Sequence, residues 1–462
     1  MHVKQLTLVN FRRFRELTIP FFSEESPLKN SNTVVFIGDN GAGKTAILNA
    51  LAMSLSWLIA RINREKGNGS SITDMDILNG IGAASIEIHL QYDESPYHWL
   101  LAKMRKGYKL TSRQNGKIKV FGSELTEATR LASSFREQLT NDDDVSLPLI
   151  AYYPCERVVL DIPLKIRTRH SFGQLDGYDN ALQQGVDFKK FFEWFRDRED
   201  NENEVRSKQL EQKTNDLLKK IRLGLLSENE DLSEFVQLES ADRDHQLIAV
   251  RMAIKSFMPN FDKLRVQRKP RLQMLVDKNG KTLDIAQLSQ GEKSLMTLVG
   301  DIARRLAILN PALENPLEGE GIVLIDEVDM HLHPKWQRII ISRLNTTFPN
   351  CQFILTTHSP IVISEIPNLL CYSLNDGKLE KLNNLYGMDV NLVLLRDMDA
   401  EIRNPQVQAA FDELLDTIQN GKINEAKELL SALEQKVAIN HIELSKARLL
   451  IRRLEIQNAK NH

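Results

Sequence analysis

The spacing of apolar residues changes several times along the chain, and each change predicts an element. Residues 3–9 alternate apolar and polar side chains, as a half-buried strand does, and Leu17 to Phe22 forms a second strand-like piece. Val34 to Ile37 is an unbroken aliphatic run, as expected of a buried strand, and Ala46 to Leu51 opens a helical pattern. Ser85 to Tyr92 alternates again, and strand-like segments surround turns at Arg105-Lys106-Gly107 and Asn115-Gly116, which predicts an antiparallel sheet. Pro148 to Tyr153 predicts another buried strand. From Val186 to Leu226 the pattern is helical, and residues 247–285 return to strand patterns. Leu295 to Leu309 reads as a long helix, Gly321 to Ile325 and Phe353 to Thr357 as strands, and the chain beyond residue 386 as almost entirely helical. The sum is an α/β protein: a mixed sheet with helices, an antiparallel side sheet, a helical insertion and a helical C-terminal region. Its expected divisions are 1–160, 161–250, 251–385 and 386–462.

Polar interruptions refine this outline. Ser23 to Asn32 reads as a loop, and Lys66-Gly67-Asn68-Gly69-Ser70-Ser71 as a flexible connection. Phe188, Phe191, Phe192, Trp194 and Phe195 fall at helical spacing, which favours a packed amphipathic helix over a base-stacking platform. The charged stretch after them does not sustain the apolar heptads of a coiled-coil arm. With a formal net charge of −2, any nucleic-acid contact must be local. Lys263-Leu264-Arg265 and Arg268-Lys269-Pro270-Arg271 is the candidate, readable either as a phosphate contact or as a solvated strand edge. The cysteines (Cys155, Cys351 and Cys371) are scattered and odd in number, which fits a reducing cytosol. The N-terminus carries a strand pattern instead of an apolar signal core, and the most apolar segment, Ala46 to Ala60, is too short to span a bilayer. A cytoplasmic protein with no membrane partner is expected.

The chemistry concentrates at the ends of the aliphatic strands. Gly38-Asp39-Asn40-Gly41-Ala42-Gly43-Lys44-Thr45 stands between a strand and a helix, where glycines let backbone N–H groups turn toward phosphate oxygens. Lys44 is placed to reach the β- and γ-phosphates and the Thr45 hydroxyl to ligate Mg²⁺. Asp326 and Glu327 follow an aliphatic strand directly, where Asp326 can hold Mg²⁺ through water and Glu327 can polarise an attacking water. His358 closes another strand and suits a γ-phosphate sensor. Ser289 and Glu292 make a capping box at a helix start, and Gly291 in its first turn suits close approach by a ligand or by another backbone. His331, His333 and Cys351 lack the paired spacing of a zinc site.

Together these residues resemble the ATP-binding-cassette superfamily: Gly38–Thr45 its Walker A, Leu288–Glu292 its signature, Ile322–Glu327 its Walker B, Asp329 its D-loop and His358 its switch histidine. That resemblance implies a P-loop ATPase head. ATP would be held by Asn40, Gly41, Ala42, Gly43, Lys44, Thr45 and Ala46, and faced by Ser289, Gln290, Gly291 and Glu292 of a second copy. Leu8-Val9-Asn10-Phe11-Arg12-Arg13-Phe14 resembles the opening of the SMC and RecF branch, which implies that an arginine near Arg12 approaches the nucleotide. The Q-loop is either Gln91 or the Tyr153–Arg157 segment. Asp397-Met398-Asp399 lacks the upstream glutamate motif of overcoming-lysogenization-defect nucleases, so no nuclease site is expected.

Across the whole chain the resemblance is to the PtuA-type ATPases of Septu and retron-associated antiphage systems. Its carriers are Tyr152–Arg157, the Phe188–Phe195 aromatic helix, Asp326–Pro334, Tyr386–Asn391 and Arg403-Asn404-Pro405. It implies an ATPase subunit that dimerises through its heads and works with an HNH nuclease of PtuB type. For some members it also implies a retron reverse transcriptase and its RNA–DNA hybrid. Two other readings stand beside it: a RecF-like DNA-repair ATPase that contacts nucleic acid directly, and a scaffold that holds ATP without hydrolysing it.

Overall fold

The computed structural model describes residues 1–22, 32–107, 122–142, 144–155, 173–182, 188–223, 244–367, 369–397, 404–437 and 441–460. They form two compact units, Met1–Met388 and Asp389–His462. Residues 23–31 of the polar loop, the Asn115-Gly116 turn, Glu156, Arg157, Met398, Asp399 and Arg403 lie outside the described residues.

Unit 1 is built on three sheets. The first is antiparallel, with order β2-β1-β4-β5: β1 is His2–Phe11, β2 Phe14–Pro20, β4 Ala83–Tyr92 and β5 Ser95–Met104. Its alternating sequence buries one face, with Val3, Leu6, Leu8, Ile86 and Ile88 inside. The second is the core sheet, with order β13-β12-β3-β11-β10-β6. Its members are β3 (Thr33–Ile37), β6 (Leu149–Tyr153), β10 (Gly321–Ile325), β11 (Cys351–Thr356), β12 (Leu370–Asn375) and β13 (Lys378–Leu382). All neighbours in it run parallel except β12 and β13. Every residue of β3, β6, β10 and β11 is buried, which is why these strands read as continuous aliphatic runs. The third sheet, β7 (Phe261–Gln267), β8 (Gln273–Lys278) and β9 (Lys281–Asp284), is a small antiparallel meander.

Helix α1 (Lys44–Asn63) follows β3 and packs into the core through Ile47, Leu48, Leu51, Leu55, Leu58 and Ile62. It has the length and apolarity of a membrane span, but most of it is buried inside the protein. The segment after it, expected as a flexible connection, is instead clamped onto the helix. Trp57 Nε1 donates to the Ser70 carbonyl (2.8 Å), and Ser70 N–H donates to Ser56 Oγ (2.7 Å). A Cβ at Gly69 would stand 2.5 Å from Trp57 N, so this glycine serves close approach.

Four further helices complete the frame: α2 (Thr126–Asn141), α3 (Phe188–Arg222), α4 (His245–Phe257) and α5 (Gln290–Leu309). The aromatic cluster of α3 is core, with Phe191, Phe192, Trp194 and Phe195 fully buried. Residues 245–257 depart from the strand reading. Leu247, Val250, Ile254 and Phe257 repeat at three- to four-residue intervals on one buried face, and the Asp244 side chain caps the start by accepting from Leu247 N–H. The run of branched side chains hid a helical period. Two more helices, α6 (Pro334–Thr347) and α7 (Pro360–Ser364), follow the ends of β10 and β11.

Unit 2 holds α8 (Val390–Asp397), α9 (Pro405–Gln419), α10 (Ile423–Lys436) and α11 (Ile442–Lys460). Phe411, Leu414, Ile418, Ala426, Leu433, Leu444, Ala447 and Ile451 make its own core.

Candidate nucleotide site

Strand β3 delivers the chain to Gly38 at the carboxyl edge of the core sheet. Gly38 has φ +141°, and a Cβ there would stand 2.3 Å from the Leu374 carbonyl oxygen. Gly43 has φ +111°, and its Cβ would meet the Phe14 ring at 2.5 Å. No side chain fits either position, so both require glycine. Lys44 is buried and folds back over the loop, its Nζ donating to the carbonyls of Gly38 (2.7 Å) and Asp39 (3.0 Å). Burial lowers its pKa, and the carboxylates of Asp326, Glu327, Asp39 and Asp329 oppose that shift. The ammonium is thus stationed inside the loop with four acids around it.

Register brings the other strand ends to the same edge. Tyr153, Ile325, Leu355 and Val35 lie abreast on β6, β10, β11 and β3. The residues that follow therefore emerge together: Asp326 and Glu327 after β10, and half-buried His358 after β11, where Thr357 N–H donates to the Phe36 carbonyl of β3. Asp326 accepts from Thr45 Oγ1 at 2.8 Å and from Thr356 Oγ1 at 2.5 Å. Thr356 Oγ1 also accepts the Glu327 N–H at 2.8 Å. Glu327 itself has φ +46°, a left-handed conformation that costs a non-glycine residue about 1–3 kcal/mol and is held by its surroundings. Asp329 accepts from the Thr357 hydroxyl. The Thr45 hydroxyl and the Asp326 carboxylate present hard oxygen donors on facing elements, the donor chemistry that suits Mg²⁺.

The signature segment begins α5. Ser289 accepts from Glu292 N–H, and Glu292 reaches back to Ser289, so the capping box forms. Lys278 Nζ of β8 lies 2.7 Å from Glu292. Burial would raise the carboxyl pKa of Glu292, but hydrogen bonds from Lys278 and Ser289 hold it below the usual range. A Cβ at Gly291 would stand 2.6 Å from the His331 carbonyl oxygen. The close approach that the glycine serves is therefore to backbone of the same chain. Ser289 and Gln290 stay exposed. Among the described residues no hydrogen bond or ion pair joins Ser289–Glu292 to Gly38–Ala46.

Two expectations shift by position. Arg12 turns away from the loop: its Nε donates to Asp76 Oδ1 (3.0 Å) and its N–H to the Asp76 carbonyl. Arg13 is the arginine on the loop, its guanidinium donating to the Gly41 carbonyl. Gln91 pairs with His2, whose neighbours Met1 and Val3 bond Glu320 and Gln352, at the amino ends of β10 and β11. That is the opposite edge from the loop. The segment after Tyr153 is the one at the site, with Cys155 Sγ 3.0 Å from Glu327 Oε2.

Residues missed in the sequence are those that hold others. Thr356 bonds both acids after β10, and Cys155 bonds the second. Tyr153 OH donates to the buried Asp301 (3.0 Å) on α5, which also takes Arg304 and Arg305 at 2.7 Å each. A threonine at a strand end beside an acid is a usable signal. The Asp301 cluster had none beyond charges on a buried helical face.

The AAA domain family matches residues 5–222. The Retron Ec83 probable ATPase of Escherichia coli is 33% identical over 410 residues, covering 82% of this chain and 72% of that protein. The Retron Vc95 probable ATPase of Vibrio cholerae is 36% identical over 390 residues, 79% of this chain and 72% of its own. The Septu protein PtuA of Bacillus mycoides is 32% identical over 162 residues, 33% of this chain and 22% of that one. Those similarities meet a nucleotide loop, an acid pair and a signature helix on an α/β head. The chain belongs to the family of the retron ATPases.

Proposed function

We propose that this ATPase closes two heads over ATP and thereby controls a partner nuclease. The observation that carries the reading is the separation within one chain. Lys44, Thr45, Asp326 and Glu327 converge on the loop, while Ser289 and Gln290 lie exposed with no bond to it among the described residues. A second copy supplies the missing half with Ser289, Gln290 and Gly291. In the closed pair, backbone N–H groups of Asn40 to Ala46 and Lys44 bind the phosphates. Glu327 takes the proton of the attacking water, and His358 reads the γ-phosphate. Thr45 and Asp326 would hold Mg²⁺, whose charge offsets that of the phosphates.

The partner we assign is an HNH nuclease of PtuB type, with a retron reverse transcriptase and its RNA–DNA hybrid where the chain works in a retron. The setting is the cytoplasm. Direct nucleic-acid binding by the basic run has less support. Arg265 pairs with Asp277 at 3.1 Å, and Arg268 with Glu199 and Asp200 at 3.3 and 2.6 Å, so both guanidinium groups are engaged within the chain.

Glu327→Gln tests the reading. With ATP and Mg²⁺ the variant should elute from size exclusion as a larger assembly than it does without nucleotide, and hydrolyse at least about a hundredfold more slowly than the parent. An unshifted peak would count against head closure. Parent-like turnover would count against Glu327 as the base, and no turnover in the parent would favour the scaffold reading.

A further inference from the structure

We infer that Cys155 is a positioning residue for ATP hydrolysis, its thiol orienting the Glu327 carboxylate; the inference rests on Glu327 acting as the base. Three observations meet at this point. The first is register: Tyr153 pairs with Ile325, and Asp326 N–H donates to the Tyr153 carbonyl at 2.9 Å. The residues two beyond Tyr153 and Ile325 therefore leave the sheet from neighbouring strand ends. Those residues are Cys155 and Glu327.

The second is contact. The Cys155 thiol donates to Glu327 Oε2 at 3.0 Å, and its sulfur lies 3.3 Å from Met330 Sδ. The thiol is thereby seated between the carboxylate and the turn that carries Asp329. The third is anchorage. Tyr153 is fully buried with its hydroxyl on Asp301, so the strand end that carries Cys155 is fixed to α5. Glu327 is likewise fixed at its N–H by Thr356. A side chain held at both its backbone and one carboxylate oxygen has its direction set at two points.

The choice of a thiol has a chemical consequence. A guanidinium or ammonium in the same place would bind the carboxylate strongly and withdraw the charge that lets it take a proton. A thiol is a weak donor. It orients Glu327 with little loss of basicity, a property that suits the neighbour of a general base. Cys351 and Cys371 are buried elsewhere, so Cys155 is the half-exposed cysteine of the three.

The test compares Cys155→Ala and Cys155→Ser in the full chain, measuring steady-state ATP hydrolysis alongside binding of a fluorescent ATP analogue. Cys155→Ala should lower kcat by about three- to tenfold with ATP affinity unchanged, and Cys155→Ser, which keeps a donor, should restore most of the loss. In a Glu327→Gln background Cys155→Ala should have no further effect on the residual rate. Parent-like kcat in Cys155→Ala overturns the inference. Equal losses in Ala and Ser variants assign the residue to packing instead, and a loss that persists undiminished without Glu327 shows action through another group. Failure of the base assignment itself is read separately, from Glu327→Gln alone.

Discussion

Gly291 shows how one position can carry two opposed physical demands. It lies in the first turn of α5, where alanine would ordinarily stabilise the helix by up to about 1 kcal/mol. The His331 carbonyl oxygen, 2.6 Å from the place a Cβ would occupy, reverses that sign, because backbone on both sides must move. Gly291→Ala should lower stability by about 1–3 kcal/mol, read as a fall in Tm, where the helix propensity alone predicts a rise. A higher Tm would show that the turn after β10 yields easily. The same residue explains part of what was legible in advance. Glycine at a helix start announces a close approach, but only the packed chain shows that the approaching group is His331 of its own turn. Arg12 and Arg13 give a parallel case. Two adjacent arginines are indistinguishable by type, and the φ of +52° at Arg12 sends its side chain to Asp76 and leaves Arg13 on the loop.

Between elements, a buried polar cluster joins β6 to α5 near the site. Asp301 is fully buried and accepts from Arg304, Arg305 and Tyr153, while Arg305 also donates to the carbonyls of Gly177 and Asp179. Burial would raise the Asp301 pKa, but the two guanidinium groups outweigh it and bring it down to about 2. The folded value lies below the unfolded one, so the charge contributes stability that is complete above about pH 4 and is lost as the pH falls through about 2. Asp301→Asn leaves two guanidinium groups in the interior without their counter-charge and should cost about 3–5 kcal/mol near neutrality. Urea midpoints for parent and variant should converge between about pH 4 and pH 2, where the parent loses the same charge. A constant gap across that range would mean that shape, not charge, holds the cluster.

On the scale of the molecule, the whole nucleotide rim belongs to unit 1, and unit 2 has a core of its own. Leu414 is fully buried in that core. Leu414→Ala should destabilise unit 2 by about 2–5 kcal/mol and leave ATP hydrolysis within about twofold of the parent. Amide exchange in α9–α11 set against turnover checks both halves of this expectation, and a collapse of turnover would tie the helical unit to the chemistry.

The sequence by itself determined the strands, the loop and the acids, because each is a local matter. Strands buried on both faces must be continuously aliphatic, a phosphate loop needs glycine where no Cβ fits, and β10 ends in two acids whatever lies around it. Helix α4 is the exception: Ile248, Val250 and Ile254 carry strand propensity, and the helix is set by the buried face of Leu247, Val250, Ile254 and Phe257. Only the tertiary structure decided which pieces meet. The register of β6, β10, β11 and β3 set Glu327 beside Cys155 and Thr356, and the pairing of β4 with β1 carried Gln91 to the far edge. Register depends on every packed side chain of the sheet at once. The loop's partner segment also had to be located in space. Among the described residues the signature segment lies on the same unit without a bond to the loop, and that separation is the observation on which the proposed pairing of two heads rests.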